Sequence, residues 1–241
     1  MAIIEAPESA PLALPSGGMI APSRALGVFS RPGQSKGWRS WITSVDHKRV
    51  GVMYGAAAVM FFLIGGVEAL LIRLQLAHPD GKVLNAAQYN QVFTMHGVTM
   101  VFLVIMPLGA AFMNYLMPLQ VGARDVAFPR LNAFSFWCFL FGGLFLNSSW
   151  FLGGAPDGGW FAYAPNTNPI FSPSHGMDFY AIGLLITGIA STVGAINLVV
   201  TVINLRAPGM TLFKMPVFTW MAFVTQLLIV FAMPVICRPM A

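Results

Sequence analysis

The sequence predicts an all-α fold, a polytopic transmembrane helical bundle of about five helices, and three observations lead there. Hydrophobic residues make up 57% of the 241-residue chain and charged residues only 9%, with a mean hydropathy of +0.73, whereas a soluble domain is about 25% charged. The apolar residues gather into about five runs, each near the ~20 residues that a ~30 Å hydrocarbon layer requires. These runs are continuous rather than short and alternating, so helices, and not a closed β-barrel, are the economical way to satisfy the backbone in lipid.

Residues 1–40 are rich in Pro, Gly, Ser and Ala and lack the compact apolar core of a secretory signal. Such a segment reads as a mobile tail, followed by a membrane domain over 41–241. The spans are expected at roughly 50–76, 89–117, 131–152, 179–205 and 216–236. The first carries Glu68, a carboxylate inside the hydrocarbon layer that is expensive unless paired, protonated or facing water. Its spacing of five from Arg73 puts the two on different faces, so its partner must come from elsewhere.

The second span carries His96 in Thr94-Met95-His96-Gly97, about seven residues, or roughly 10 Å, into its helix. Pro107 is expected to kink this span. Asn114 follows His96 by eighteen residues, five whole turns of an α-helix, which would point both the same way roughly 27 Å apart. Asn132 opens the third span. After it, the connection over 153–178, with Trp160, Phe161, Tyr163, Phe171 and several prolines, reads as a structured aromatic cap at the outer interface. In the fourth span, Ala190 with Gly194 and Ser191 with Ala195 stand at a spacing that lets another helix approach closely.

The formal charge of +5 does not indicate nucleic acid, because the basic residues stand singly or in pairs at the ends of apolar runs. Their placement indicates topology. Arg24, Arg31, Lys36, Arg39, Lys48 and Arg49 precede the first span, Arg124 and Arg130 lie in the second connection, and Arg206 and Lys214 in the fourth. The positive-inside rule therefore puts the N-terminus in the cytoplasm and, after five crossings, the C-terminus outside. Cys138 and Cys237 show no metal-type spacing, and no disulfide is expected.

Three polar features invite a function, each beside a plain alternative. His96 is a candidate axial ligand of haem iron, with Gly97 leaving room for a flat macrocycle; the alternative is a histidine bonded to a neighbouring helix. Arg73 either donates to polar substituents of such a cofactor or snorkels to the headgroups. Asp125, Asn114, Asn132, Tyr54 and Asn197 either hold a file of waters leading inward, or form a surface ion pair and helix caps.

At these residues the chain resembles the N-terminal part of subunit I of the haem-copper oxidases, the respiratory terminal oxidases. The resemblance runs from about Trp41 to Val235. It is carried by Asp46-His47-Lys48, Leu71-Ile72-Arg73, Thr94-Met95-His96-Gly97, Gly122-Ala123-Arg124-Asp125, Ala127-Phe128-Pro129-Arg130-Leu131-Asn132 and Gly194-Ala195-Ile196-Asn197. It implies that His96 is one of two axial ligands of a low-spin haem, of haem a type, and that Arg73 contacts a substituent of that haem. It places Asp125, Asn114, Asn132, Tyr54 and Asn197 at the entrance of a proton pathway from the cytoplasmic side. The implied setting is a bacterial-type inner membrane, with the C-terminus in the periplasm and other oxidase subunits as partners.

The resemblance also separates donors. Quinol-oxidising members use an arginine, an aspartate and a histidine where this chain has Ile64, Glu68 and Gln88, with only Gln91 in agreement; cytochrome c is therefore the expected donor and quinol the alternative. Gln75 replaces a carboxylate that helps bind a cation in some relatives, so none is expected here. The copper-binding His-Pro-Glu-Val-Tyr segment and the ligands of the high-spin haem have no match in the chain, so copper and that haem are expected only in a complete subunit. The chain alone is expected to be inactive: one piece of a split subunit, a truncated product, or a membrane remnant that carries haem or partners without turnover.

Overall fold

The computed structural model describes residues 37–237, and the tail expected over 1–40 lies outside the described residues except for its last four positions. Those positions lead into α1 (Arg39–Ile42), followed by α2 (His47–Gln75), α3 (Ala86–Val98), a π-helical segment (Thr99–Ile105), α4 (Met106–Val121), α5 (Pro129–Ser148), α6 (Gly176–Asn204) and α7 (Val217–Cys237). A single 3₁₀ turn, Leu212–Lys214, precedes α7. Among the described residues five helices are long and apolar enough to cross a membrane, with α3, the π segment and α4 forming one of them, Ala86–Val121. The expected spans agree with these to within a few residues at each end, where caps rather than hydropathy decide the boundary.

The ends have local causes. Asp46 caps α2 by accepting the Lys48 N–H at 2.8 Å, and Asn85 with Gln88 forms a reciprocal capping box at the start of α3. Gly122 ends α4 in the left-handed conformation, φ 76°, and a Cβ there would also meet the Ala207 side chain at 2.9 Å. Gln75 closes the following loop. Its amide donates to the Gly81 carbonyl at 2.6 Å and accepts from the Leu84 N–H at 2.7 Å.

Near Pro107, where a kink is expected, the helix departs from α geometry. Proline lacks the N–H that would bond four residues back, and its ring crowds that carbonyl. The helix answers by widening into the seven-residue π segment directly before it. Because the turn is wider there, the count of five α-helical turns between His96 and Asn114 does not apply, and the two side chains meet different neighbours.

Packing is inside out relative to a soluble protein. On α2 the exposed residues Val52, Val59, Phe62, Leu63, Val67 and Leu70 are as apolar as the buried Val50, Ala57 and Phe61, as lipid contact demands. With no hydrophobic drive between helices in lipid, association depends on close van der Waals contact. A Cβ on Gly51 would lie 2.9 Å from the Ala111 carbonyl oxygen of α4, and one on Gly65 would lie 2.9 Å from the Met100 sulfur and 3.2 Å from the Thr99 methyl. The tight crossing of α5 and α6 falls at Gly142 and Gly183, each within about 3.4 Å of the other's carbonyl oxygen once a Cβ is added. Sequence spacing had pointed to the Ala190/Gly194 stripe instead, but a Cβ on Gly194 would have only ordinary contact, 3.8 Å from the Ser135 hydroxyl.

Gly51→Leu is expected to destabilise the bundle by about 1–3 kcal/mol, because the α4 backbone cannot yield to it. Gly66→Ala, with nothing within 4 Å of the added atom, is expected to be neutral or stabilising by up to about 1 kcal/mol. Denaturing-detergent titration followed by helical circular dichroism measures both.

Candidate functional site

The polar groups lie in two regions of the bundle. The first is built on α3. His96 sits ten residues after Ala86, the first residue of α3, roughly 15 Å along the helix and deeper than the sequence boundary implied. Its Nδ1 is 2.9 Å from the Gly65 carbonyl oxygen. A carbonyl only accepts, so Nδ1 is the protonated nitrogen, and in the neutral ring Nε2 keeps a lone pair. Nε2 makes no hydrogen bond among the described residues, and the side chain is half-buried. A tied Nδ1–H with a free, oriented Nε2 is the arrangement of a metal-ligating histidine, and on this observation the site fits an axial haem ligand.

A Cβ on Gly97 would lie 3.0–3.2 Å from the Trp160 side chain, so an indole packs beside the glycine. Trp160 is fixed from both sides. The Gly159 N–H donates to Thr94 Oγ at 2.9 Å, and the Tyr180 hydroxyl donates to the Trp160 carbonyl at 2.6 Å. Turns at Gly159 (φ 78°) and Ala162 (φ 47°) shape the segment. The connection after α5 is thus the structured aromatic cap that its composition suggested, docked on α3.

Arg73, two turns beyond Gly65 on α2, is exposed and bonds to none of the described residues. Glu68 is 5% exposed; the Trp150 indole comes near its carboxyl, but neither oxygen has a hydrogen-bonding partner among the described residues.

The second region gathers at the N-terminal end of α2 and in the interior beyond it. Asp125 Oδ1 lies 3.1 Å from His47 Nδ1 and also accepts the Val126 N–H at 2.8 Å. Asn197 on α6 accepts the Phe128 N–H at 2.8 Å and donates to its carbonyl at 3.3 Å, which pins the chain where α5 begins. Thr201, one turn further along, accepts the Ala127 N–H at 2.9 Å.

Further in, Ser135 donates to the Asn132 carbonyl at 2.8 Å and shares a 3.0 Å hydrogen bond with the Tyr54 hydroxyl. Asn114 donates to the Ala110 carbonyl at 2.9 Å. Tyr54, Ser135 and Asn114 line one cavity of about 710 Å³, walled mainly by apolar residues of α4 to α7, with Trp160 and Phe161 also in its lining. Both polar atoms of Asn132, Asn114 Oδ1 and His47 Nε2 are buried without a partner among the described residues. Buried polar atoms of this kind are where ordered water binds.

The structure therefore brings Tyr54 and Asn114 to one cavity with Ser135, joins Asn132 to them through its backbone carbonyl, and sets Asp125 on the loop before α5, with Asn197 of α6 bonded to the end of that loop. Sequence reasoning missed His47, Ser135 and Thr201. Ser135 was findable from its position three residues after Asn132, on the same helix face. The pairing of His47 with Asp125, 78 residues apart, left no local signal.

The fold defines a multi-pass helical membrane protein with a half-buried histidine on its second span and buried polar groups between its helices. The description "Cytochrome C and Quinol oxidase polypeptide I" belongs to the family model that matches residues 49–240, and the chain belongs to this family. Cytochrome c oxidase subunit 1 of Bacillus sp. (strain PS3) is 58% identical over 80% of this chain and 31% of its own length. The subunit of the same name from Bacillus subtilis is 54% identical over the same shares. Quinol oxidase subunit 1 of Bacillus subtilis is 45% identical over 85% of this chain and 31% of that protein. The chain thus spans about a third of the length of these curated relatives.

Tyr180→Phe is expected to release the Trp160 carbonyl at a cost of about 1 kcal/mol. Hydrogen exchange should then quicken at the amides of 159–163, while those in the middle of α6 stay protected.

Proposed function

We propose that the chain forms the N-terminal section of the catalytic subunit of a respiratory terminal oxidase, a cytochrome c oxidase. In it His96 is one axial ligand of a low-spin haem of a type, and the residues behind Asp125 are the entrance of a proton pathway. The observation that carries the reading is the His96 ring: one nitrogen tied to Gly65, the other free at membrane depth. Haem held there would supply a one-electron carrier. Arg73, exposed on the same stretch of α2, is the residue assigned to a polar haem substituent.

The chain's own residues have definite tasks in this reading. The Gly65 carbonyl fixes the ring orientation and the tautomer of His96, and Trp160 covers the α3 backbone beside it. Asp125, held by His47, collects protons at the surface. Asn132, Asn114, Tyr54 and Asn197, with Ser135, order the waters that carry them inward. Basic residues around α1 and in the second and fourth connections support a cytoplasmic N-terminus and a periplasmic C-terminus in a bacterial inner membrane.

Cytochrome c as donor is supported by the higher identity to cytochrome c oxidases than to the quinol oxidase. It is supported too by Ile64 and Gln88, and by Glu68, whose carboxyl is buried rather than offered to lipid. Dioxygen reduction, proton pumping, the copper site and the high-spin haem are assigned to the complete subunit with its partner subunits.

His96→Leu, close in volume and apolar, is expected to leave the helical fold intact and to abolish the low-spin haem spectrum of the assembled oxidase. A normal low-spin spectrum in that variant would make another residue the ligand. Asp125→Asn keeps the shape but not the ionisable collector, so turnover should fall at least tenfold near neutral pH with haem content unchanged. Oxygen uptake and pyridine haemochrome content measure the two terms.

A further inference from the structure

The short segment ahead of the first spanning helix concentrates aromatic rings and cations. Trp38, Trp41 and Ile42 are 69%, 43% and 44% exposed. The Arg39 guanidinium lies 5.6 Å from the Trp38 ring centroid and that of Arg49 5.6 Å from the Trp41 centroid. Arg49 also donates to the Ser40 carbonyl at 3.1 Å, which fastens α1 to the first turn of α2.

Lys48 and Arg49 stand in that first turn, which holds no acidic residue of its own, although the positive end of a helix dipole disfavours cations there. The two nearby carboxylates are engaged: Asp46 caps α2 and Asp125 pairs with His47. That pairing draws the loop bearing exposed Arg124 to the same end. Among the described residues no carboxylate pairs with Arg39, Lys48, Arg49 or Arg124. Among the described residues four cations thus gather at this end against the two carboxylates of Asp46 and Asp125, an excess of positive charge that the helix dipole works against.

Helix length says where this charge sits. The 29 residues of α2 extend roughly 43 Å, against a hydrocarbon layer of ~30 Å. Its first turn therefore reaches the headgroup layer, where indole rings are at home. A guanidinium over an indole still presents N–H donors at its edge, with one nitrogen of Arg49 also bonded to Ser40, and such donors match phosphate oxygens in pairs.

We infer that α1 and the first turn of α2, with Arg124, form a docking surface for the phosphate headgroups of anionic membrane lipids. Arg39 and Arg49 are the phosphate forks, Lys48 and Arg124 the surrounding field, and Trp38, Trp41 and Ile42 the interfacial anchor.

The test uses the full chain reconstituted in phosphatidylcholine bilayers doped with spin-labelled phosphatidylglycerol or spin-labelled phosphatidylcholine. The motionally restricted fraction in electron spin resonance gives the relative association of the two lipids. Phosphatidylglycerol is expected to be favoured several-fold at low salt and less so in 1 M salt. In Arg39→Gln/Arg49→Gln the ratio should fall toward one, while Lys82→Gln, between α2 and α3, leaves it unchanged. A wild-type ratio of one, or an unchanged ratio in the double variant, overturns the proposal. If the double variant loses helical circular dichroism, Arg49→Lys decides: it keeps the charge and removes the fork, so the ratio should fall part-way, and an unchanged ratio overturns the fork assignment.

Discussion

The close approach of α2 to the helix running from α3 through α4 is the contact on which the other features depend. It is possible because Gly51 and Gly65 carry no side chain where α4 and the π segment pass. In lipid the apolar surfaces of two helices gain little from meeting, so interhelical distance decides how much dispersion energy is collected. The same proximity exposes the second lone pair of the Gly65 carbonyl to His96. One packing decision therefore sets the helix pair and the tautomer of the ring.

The π segment shares the next decision. Thr99–Ile105 widens the helix between His96 and Asn114, and the two residues serve different surroundings on one span. His96 turns to α2, whereas Asn114 lines the cavity with Tyr54 and Ser135. Aromatic packing makes that cavity wall firm: Tyr54 stacks on Phe139 at 5.4 Å and meets the edge of Phe136 at 5.2 Å. Phe61, fully buried, packs on Phe139 from the other side. The polar groups thus stand in a stiff apolar frame, and hydrogen bonds among them are stronger for the low dielectric around them.

The connection between α5 and α6 touches both the His96 helix and the cavity. Trp160 packs against Gly97 and also lines the cavity beside Phe161. Its backbone is held by one residue of α3 and one of α6, so it reports the relative position of two spans. A loop of this kind is specified by hydrogen bonds to helices far off in sequence, 65 residues away for Thr94 and 20 for Tyr180.

By itself the sequence determined the solvent, the number of spans and their approximate bounds, because a ~30 Å apolar layer imposes a length on every run that crosses it. It also singled out His96, Glu68 and Asp125, because an ionisable group in or beside such a run carries a visible cost. It did not reveal which nitrogen of His96 is free, that Trp160 packs beside Gly97, or that His47 is the partner of Asp125. Nor did the small-residue stripe on α6 identify the true crossing at Gly142 and Gly183. Those were decided by tertiary structure, since each depends on which faces of two helices meet. Hydropathy is nearly uniform around these helices, so it carries no signal of facing, and the phase that spacing supplies was shifted by seven π-helical residues that only packing around Pro107 makes evident.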